Sequence, residues 1–396
     1  MTDPSTFTLE WLLSPCSVEE FSTQVWQRRS QVLAQGRPDH FVALFGFREL
    51  EFVLEYGQPK PPSVRLASSR APAPLEVPFG RGGRLDIDRI RRGFADGHTI
   101  IVNNVQDYTP RVGRLVQAMQ ERMSYPVEAN AYLTPPGAQG FKPHYDTHDV
   151  IVAQIEGRKL WRVYGAEAAC PLPELTNGDP FRRENLPTPE FIELGPGDVL
   201  YIPRGWIHEA ETESGSSLHL TFGVHAPNGL DLARTALDVL SRVHPEFRQV
   251  LPFGYLRRPV ELGPLREVLA RLTELLAADG SAEAAFHLLE DDFIGRGRSA
   301  GDGELVASVD ALASLGPETR IERKQHLHAR LLPTPTGVGL QFAQSLLQAP
   351  ADYRAAMEFI LDSVAPFQVA DLPALDAEQQ ETLAASLLRD GLVRLA

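Results

Sequence analysis

Apolar and polar positions change their period several times along the chain. Residues 1–58 carry helical spacing in SVEEFSTQVWQRRSQVL and FRELEFVLEYG, whereas residues 59–85, rich in Pro, Arg and Gly, predict irregular strand and loop. HTIIVNNV at 98–105 alternates as a strand, PRVGRLVQAMQERMS opens with Pro110 at a helix start, and VEANAYLTPP returns to strand. From there to residue 226 short β runs dominate: DVIVAQIE, KLWRVYG, EFIEL, VLYIP, WIHEAETE and SLHLTFGVHAP, with turns at EGRK, GPGD and SGS. Strands in succession, without helices between them, predict an antiparallel sandwich or barrel, and a double-stranded β-helix (jelly roll) is the natural candidate.

After Pro227 the period lengthens to that of helices, in LDLARTALDVLSRVH, PLREVLARLTELLAADG and SAEAAFHLLEDDFIG. Residues 301–396 mix helical runs with the strand-like HLHARLLPTPTGVGLQF. The expected fold is therefore α+β. It comprises a jelly-roll domain with N-terminal helices (1–227), a helical region (228–300) and an acidic winged-helix-like C-terminal domain (301–396).

Composition narrows the function. Of 396 residues, 43% are hydrophobic and 23% charged, as in ordinary globular protein, and the N-terminus lacks the basic-then-apolar order of a signal peptide. No apolar run approaches the roughly 20 residues that cross a bilayer, so the reading is a cytoplasmic protein without a membrane span. Two cysteines are too few for a disulfide framework or a thiolate zinc cluster, which leaves His and carboxylate as metal ligands. A net charge of −14 opposes binding to a phosphate backbone and suits a basic protein or peptide partner. Residues 301–396 hold 13 acidic against 7 basic side chains, so no DNA binding is expected of them.

Chemistry concentrates in GFKPHYDTHDV. In a strand, residues two apart share a face, so His144 and Asp146 would project together. A third ligand, His208, follows 64 positions later in PGDVLYIPRGWIHEAE, where Pro203 and Gly205 bend the chain just ahead of it. Two histidines and one carboxylate make the facial triad that leaves three adjacent positions of octahedral Fe(II) for cosubstrate and O2. A 2-oxoglutarate cosubstrate also needs a cation for its distal carboxylate. Lys159, after the turn EGR and in register with Trp161 and Val163, is either that buried cation or a solvated turn residue. On spacing alone Asn130, Tyr132 and His219 are core or pocket residues alike, and His148 and Asp149 read as rim or structural residues.

The segments NAYLTPPGAQGFKPHYDTHDVIVAQIEGRKLWRVY and ELGPGDVLYIPRGWIHEAE, within a match from about Asn130 to Val224, resemble the JmjC-type ribosomal oxygenases of the cupin superfamily. These are Fe(II)- and 2-oxoglutarate-dependent hydroxylases of histidyl or arginyl side chains in ribosomal proteins. The resemblance implies that His144, Asp146 and His208 hold iron and that Lys159 binds the distal carboxylate. It places Asn130, Tyr132 and His219 around the cosubstrate and substrate, and implies a homodimer formed through residues 228–300. The chain departs from the family in a shorter loop between His208 and His219, and in Gly223 where a hydroxyl side chain is expected. The same chemistry would serve a tailoring hydroxylase of a peptide natural product or a free amino acid. A non-catalytic binding module and a zinc hydrolase are the other readings, and the latter has no use for Lys159.

Overall fold

The computed structural model describes residues 7–69, 79–167, 170–172, 181–251, 253, 262–278, 280–298 and 304–396. They form two compact units, Met1–Ala226 and Pro227–Ala396.

The first unit begins with α1 (Leu9–Leu13) and α2 (Val18–Glu20), which runs into a π-helical turn at Phe21–Val25. The helical spacing read through Gln31, Val32 and Leu33 is overridden here, because residues Gln31–Ala34 form strand β1. Gln27 turns the chain at φ 55°, its amide donates to the Tyr201 hydroxyl, and Ser30 Oγ donates to the Tyr201 carbonyl. These bonds tie the segment to a sheet edge, and tertiary pairing outweighs helical propensity. Next come α3 (Phe47–Tyr56), β2 (Val64–Ala67), α4 (Ile87–Ala95), β3 (Thr99–Val102) and α5 (Pro110–Met123), which begins on Pro110. Seven strands follow: β4 (Val127–Thr134), β5 (Asp149–Glu156), β6 (Lys159–Ala166), β7 (Glu190–Leu194), β8 (Val199–Ile202), β9 (Trp206–Glu211) and β10 (Ser217–Val224).

They build a seven-stranded sheet in the order β1-β8-β5-β10-β4-β3-β2 and a three-stranded sheet β7-β6-β9, antiparallel throughout. This is the double-stranded β-helix, or jelly roll, that the run of short strands predicts. One face of the large sheet is apolar and joins the main core, with Ala129, Ala131, Ile151, Ala153, Leu218, Leu220 and Phe222 all buried. The other face is divided. On β5 and β8 it carries Val150, Val152, Leu200 and Ile202, which pack with Trp161, Val163, Ile192 and Leu194 of the small sheet. On β4 and β10 the same face turns polar, and cross-strand register sets Tyr132 opposite His219, Asn130 opposite Thr221 and Glu128 opposite Gly223. Alternation thus sends polar side chains inward along two adjacent strands, which is where a cavity opens.

The second unit starts with α6 (Gly229–Val243), whose N-terminus is closed by the reciprocal bonds of Asn228 and Asp231, then α7 (Leu262–Leu276) and α8 (Ser281–Gly295). Beyond them lie α9 (Leu305–Leu312), β11 (Arg320–Arg323), the meander β12 (Ala329–Thr334), β13 (Gly337–Phe342) and β14 (Ser345–Ala349), then α10 (Arg354–Asp362). Strands β15 (Phe367–Gln368) and β16 (Val393–Leu395) flank β11, with α11 (Ala377–Asp390) between them in sequence. These later elements share one apolar core around Leu340, Phe342, Met357, Ile360, Leu383 and Leu387. Among the described residues no helix is long and apolar enough to cross a membrane.

Candidate metal and cosubstrate site

The segment Phe141–His148 lies outside regular strand, which corrects the strand expected around His144 and Asp146. Pro143 has no N–H for a ladder, and β5 begins only at Asp149. A single antiparallel bridge does the positioning instead. The amide of His144 donates to the carbonyl of His208 (3.1 Å), and the amide of His208 donates back to that of His144 (2.8 Å). Two residues on, the Gly205 amide donates to the Asp146 carbonyl at 2.9 Å, and Gly205, at φ 79°, turns the chain into β9.

The two imidazoles therefore stand opposite one another, ring centroids 4.6 Å apart, and Asp146 Oδ2 lies 3.5 Å from His208 Nε2. His144 Nδ1 is 2.9 Å from the Lys142 carbonyl and His208 Nδ1 is 2.9 Å from the Trp206 carbonyl. A carbonyl only accepts, so each Nδ1 carries a proton, and Nε2 is the nitrogen of each ring left to face a metal. One ligand atom from each of the three residues falls within 4.8 Å of the others. Burial raises the Asp146 carboxyl, but His144 and His208 outweigh it and hold the group below its usual pKa. Burial also lowers the His208 imidazole, with His144 adding to the effect and Asp146 opposing it. A carboxylate and a neutral imidazole are the protonation states a cation requires.

Lys159 opens β6 behind a turn that needs Gly157, whose φ is 68° and where a Cβ would sit 2.0 Å from the Ser216 carbonyl oxygen. Its Nζ, at the end of a side chain in a residue only 4% exposed, donates to Thr134 Oγ1 at 2.9 Å. Among the described residues no carboxylate pairs with it, and burial lowers its pKa to about 7. Nearby, His219 stacks on Tyr132 with centroids 4.8 Å apart, and burial with Lys159 keeps its imidazole well below the usual pKa. His219 Nδ1 and Trp161 Nε1 are buried without hydrogen-bond partners. Buried polar atoms are ordinarily satisfied, so this group of donors around an uncompensated ammonium fits a small anion.

Asn130 accepts from the Asn104 amide at 2.9 Å and donates to Glu128 at 3.3 Å. His144, Asp146, His208, Lys159, Asn130, Tyr132 and His219 all line one cavity of about 600 Å³, so the structure brings the candidate metal ligands and pocket residues into one place. Asp149 stays outside it, fully buried and accepting from Tyr201 and Gln27, while His148 lies on the cavity wall against His225.

The JmjC domain family matches residues 102–232. Ribosomal oxygenase 1 of Danio rerio is 26% identical over 97% of this chain and 78% of its own length. Ribosomal oxygenase 2 of Rattus norvegicus is 27% identical over 99% and 92%. The chain thus carries a JmjC domain and is similar along nearly its whole length to ribosomal oxygenases. Escherichia coli YcfD, a ribosomal oxygenase solved in complex with cobalt and 2-oxoglutarate, shares the JmjC fold: its TM-score is 0.53 at 20% identity, over 95% of this chain and 97% of that one.

The sequence reading missed Thr99, Arg65 and Glu128, all on the cavity wall, and Thr134, which accepts from Lys159. Glu128 and Thr134 were within reach, because they continue the Asn130–Tyr132 alternation by one step at either end of β4. Glu209, beside His208, was also missed. It accepts from Tyr164 Oη and Arg183 Nε at 2.6 Å and from Gln139, whose Nε2 also donates to the Phe141 carbonyl. That network fixes β9 to the loop that leads into His144, and no spacing rule in the sequence points to it.

Proposed function

We propose that the protein hydroxylates a side chain of a protein substrate, a ribosomal protein being the first choice, with Fe(II) held by His144, Asp146 and His208. The observation that carries this reading is a two-histidine, one-carboxylate set opening into the same cavity as a buried, acid-free lysine. Lys159 and Thr134 would take the distal carboxylate of 2-oxoglutarate, with His219 and Trp161 as further donors. The names of the full-length relatives support the ribosomal target.

The bound metal and cosubstrate supply the oxygen chemistry: one atom of O2 becomes the hydroxyl on the target carbon, and the other enters succinate as 2-oxoglutarate loses CO2. The protein's residues orient and exclude. The Nδ1 bonds to Lys142 and Trp206 fix the planes of the two imidazoles, Phe141 and Trp161 pack beside them, and the sheet interior keeps the lysine end dry.

With Fe(II), 2-oxoglutarate and acid-extracted ribosomal proteins, the expected result is succinate formation and a mass gain of one oxygen on a ribosomal peptide. His144→Ala retaining full turnover would refute the ligand set. For the helical region at 228–300, exposed Val243, Leu269 and Phe286 support a role in dimer contact. A monomer in light scattering would remove that part.

A further inference from the structure

Resting on the reading of His144, Asp146 and His208 as a metal site, we propose that Arg183 is a positioning residue of that site, pinning together the two backbone segments that carry its histidines. His208 sits on β9, whereas His144 and Asp146 sit on a loop outside regular strand. Isolated bridges at Gln139–Glu211 and His144–His208 join the two segments, and residues 140–143 between those bridges have no strand pairing of their own. The separation of the two histidines is therefore only loosely set by the backbone.

The side chains around Glu209 set it more firmly. Alternation on β9 turns His208 into the cavity and its neighbour Glu209 to the opposite face of the small sheet. A carboxylate on such a face is ordinarily solvated, yet Glu209 is 1% exposed. Its cover is Arg183, from the 3-10 turn Arg183–Asn185. Arg183 Nε donates to Glu209 Oε1 at 2.6 Å and Nη2 donates to Oε2 at 2.7 Å, a two-pronged pairing of fixed geometry. The same Nη2 donates to Gln139 Oε1 at 3.0 Å, and Gln139 Nε2 donates in turn to Glu209 and, at 2.8 Å, to the Phe141 carbonyl. One guanidinium thus ties β9 beside His208 to the stretch that leads into His144. Two residues ahead of it, Phe181 lies against Tyr145, the residue between the two loop ligands, with ring centroids 5.8 Å apart. Neither Arg183 nor Glu209 lines the cavity, so their effect on a metal passes through the segments they hold. Were Arg183 only a counter-charge, any cation would serve. Three bonds to two partners call for the planar fork of a guanidinium.

The test reads Mn(II) binding by electron paramagnetic resonance and calorimetry in the full chain carrying Arg183→Met or Arg183→Lys, with the wild type and His144→Ala alongside. Arg183→Met should weaken Mn(II) binding by about 10- to 100-fold and broaden the spectrum, as loss of a partner behind the ligands does. Arg183→Lys keeps Glu209 neutralised and should melt within about two degrees of the wild type. It should still bind Mn(II) about tenfold more weakly, because an ammonium cannot hold Glu209 and Gln139 in the same geometry. Wild-type affinity in Arg183→Lys would overturn the proposal and leave Arg183 a counter-charge alone. Unchanged affinity in Arg183→Met would overturn it as well, and if that variant fails to fold the lysine variant decides. Absence of Mn(II) binding in the wild type, or binding that His144→Ala leaves intact, would remove the metal reading itself, and this role with it.

Discussion

The two ends of the cavity are made by the same pair of strands, β4 and β10, yet they are finished in opposite ways. At the Lys159 end Thr134, His219 and Trp161 are buried, and two of their polar atoms have no partner. At the Glu128 end Asn130 is buried, but Glu128, His148 and His225 are partly or fully exposed, and the four residues form a chain of contacts. Dry, unsatisfied donors are costly and persist where a bound anion completes them. Satisfied, solvent-facing groups tolerate exchange. The difference teaches that the deep end is shaped for one small molecule and the shallow end for a side chain that comes and goes.

Removing the metal set between the two ends should have the largest effect. Asp146→Ala is expected to lower turnover at least a thousandfold and to abolish Mn(II) binding, read by electron paramagnetic resonance, with circular dichroism unchanged. If turnover survived, the two ends would not be meeting at a common metal.

The next effect separates the ends directly. Lys159→Met should weaken 2-oxoglutarate binding by about 10- to 100-fold, the scale of one charge-assisted hydrogen bond. The same change removes a buried charge whose pKa lies at about 7 in place of 10.5. The melting temperature should therefore rise by a few degrees in the ligand-free protein. A fall in melting temperature would mean that the lysine is already satisfied within the fold.

Much of this arrangement was legible from alternation and turn chemistry, because these are local. The β runs from Val127 to Val224 match strands of the jelly roll, and Lys159 follows its turn as expected. His144 and Asp146 were legible for a partly wrong reason. They come together through a one-residue bridge to His208, a contact between segments distant in sequence, and the strand that would have aligned them locally is absent. Residues 31–34 were misread because their helical periodicity yields to Tyr201, and Glu209 gave no signal because its partners Gln139, Tyr164 and Arg183 are scattered along the chain.

Acidity distinguishes the ends more finely. The ligand-free Lys159 has its pKa lowered to about 7 by burial, so above pH 7 an anion must bind with uptake of a proton. The Kd for 2-oxoglutarate should rise by nearly tenfold per pH unit between about 7.5 and 9. Calorimetry in buffers of different ionisation enthalpy should show close to one proton taken up. For stability the sign is the reverse: the unfolded chain keeps this lysine protonated up to its ordinary pKa, so deprotonation in the fold makes its contribution rise with pH between 7 and 10.5. A Kd flat across this range would place the ammonium in contact with water.

The smallest expected effect lies at the shallow end, in Gly223→Ala. The backbone allows it, since Gly223 is not among the residues at positive φ. The new Cβ would meet His148 at 2.9 Å from Cδ2 and 3.0 Å from Nε2, the far end of a side chain that starts outside regular strand. His148 should swing aside, break its stack on His225 and leave the melting temperature within one or two degrees. Peptide KM should change about threefold, because the wall around Glu128 shifts while its carboxylate remains. The Kd for 2-oxoglutarate should stay where it was, because Tyr132 and His219 separate this position from Lys159. Equal changes in both constants would show that the strand pair transmits displacement along its length, and that the two ends act as one site.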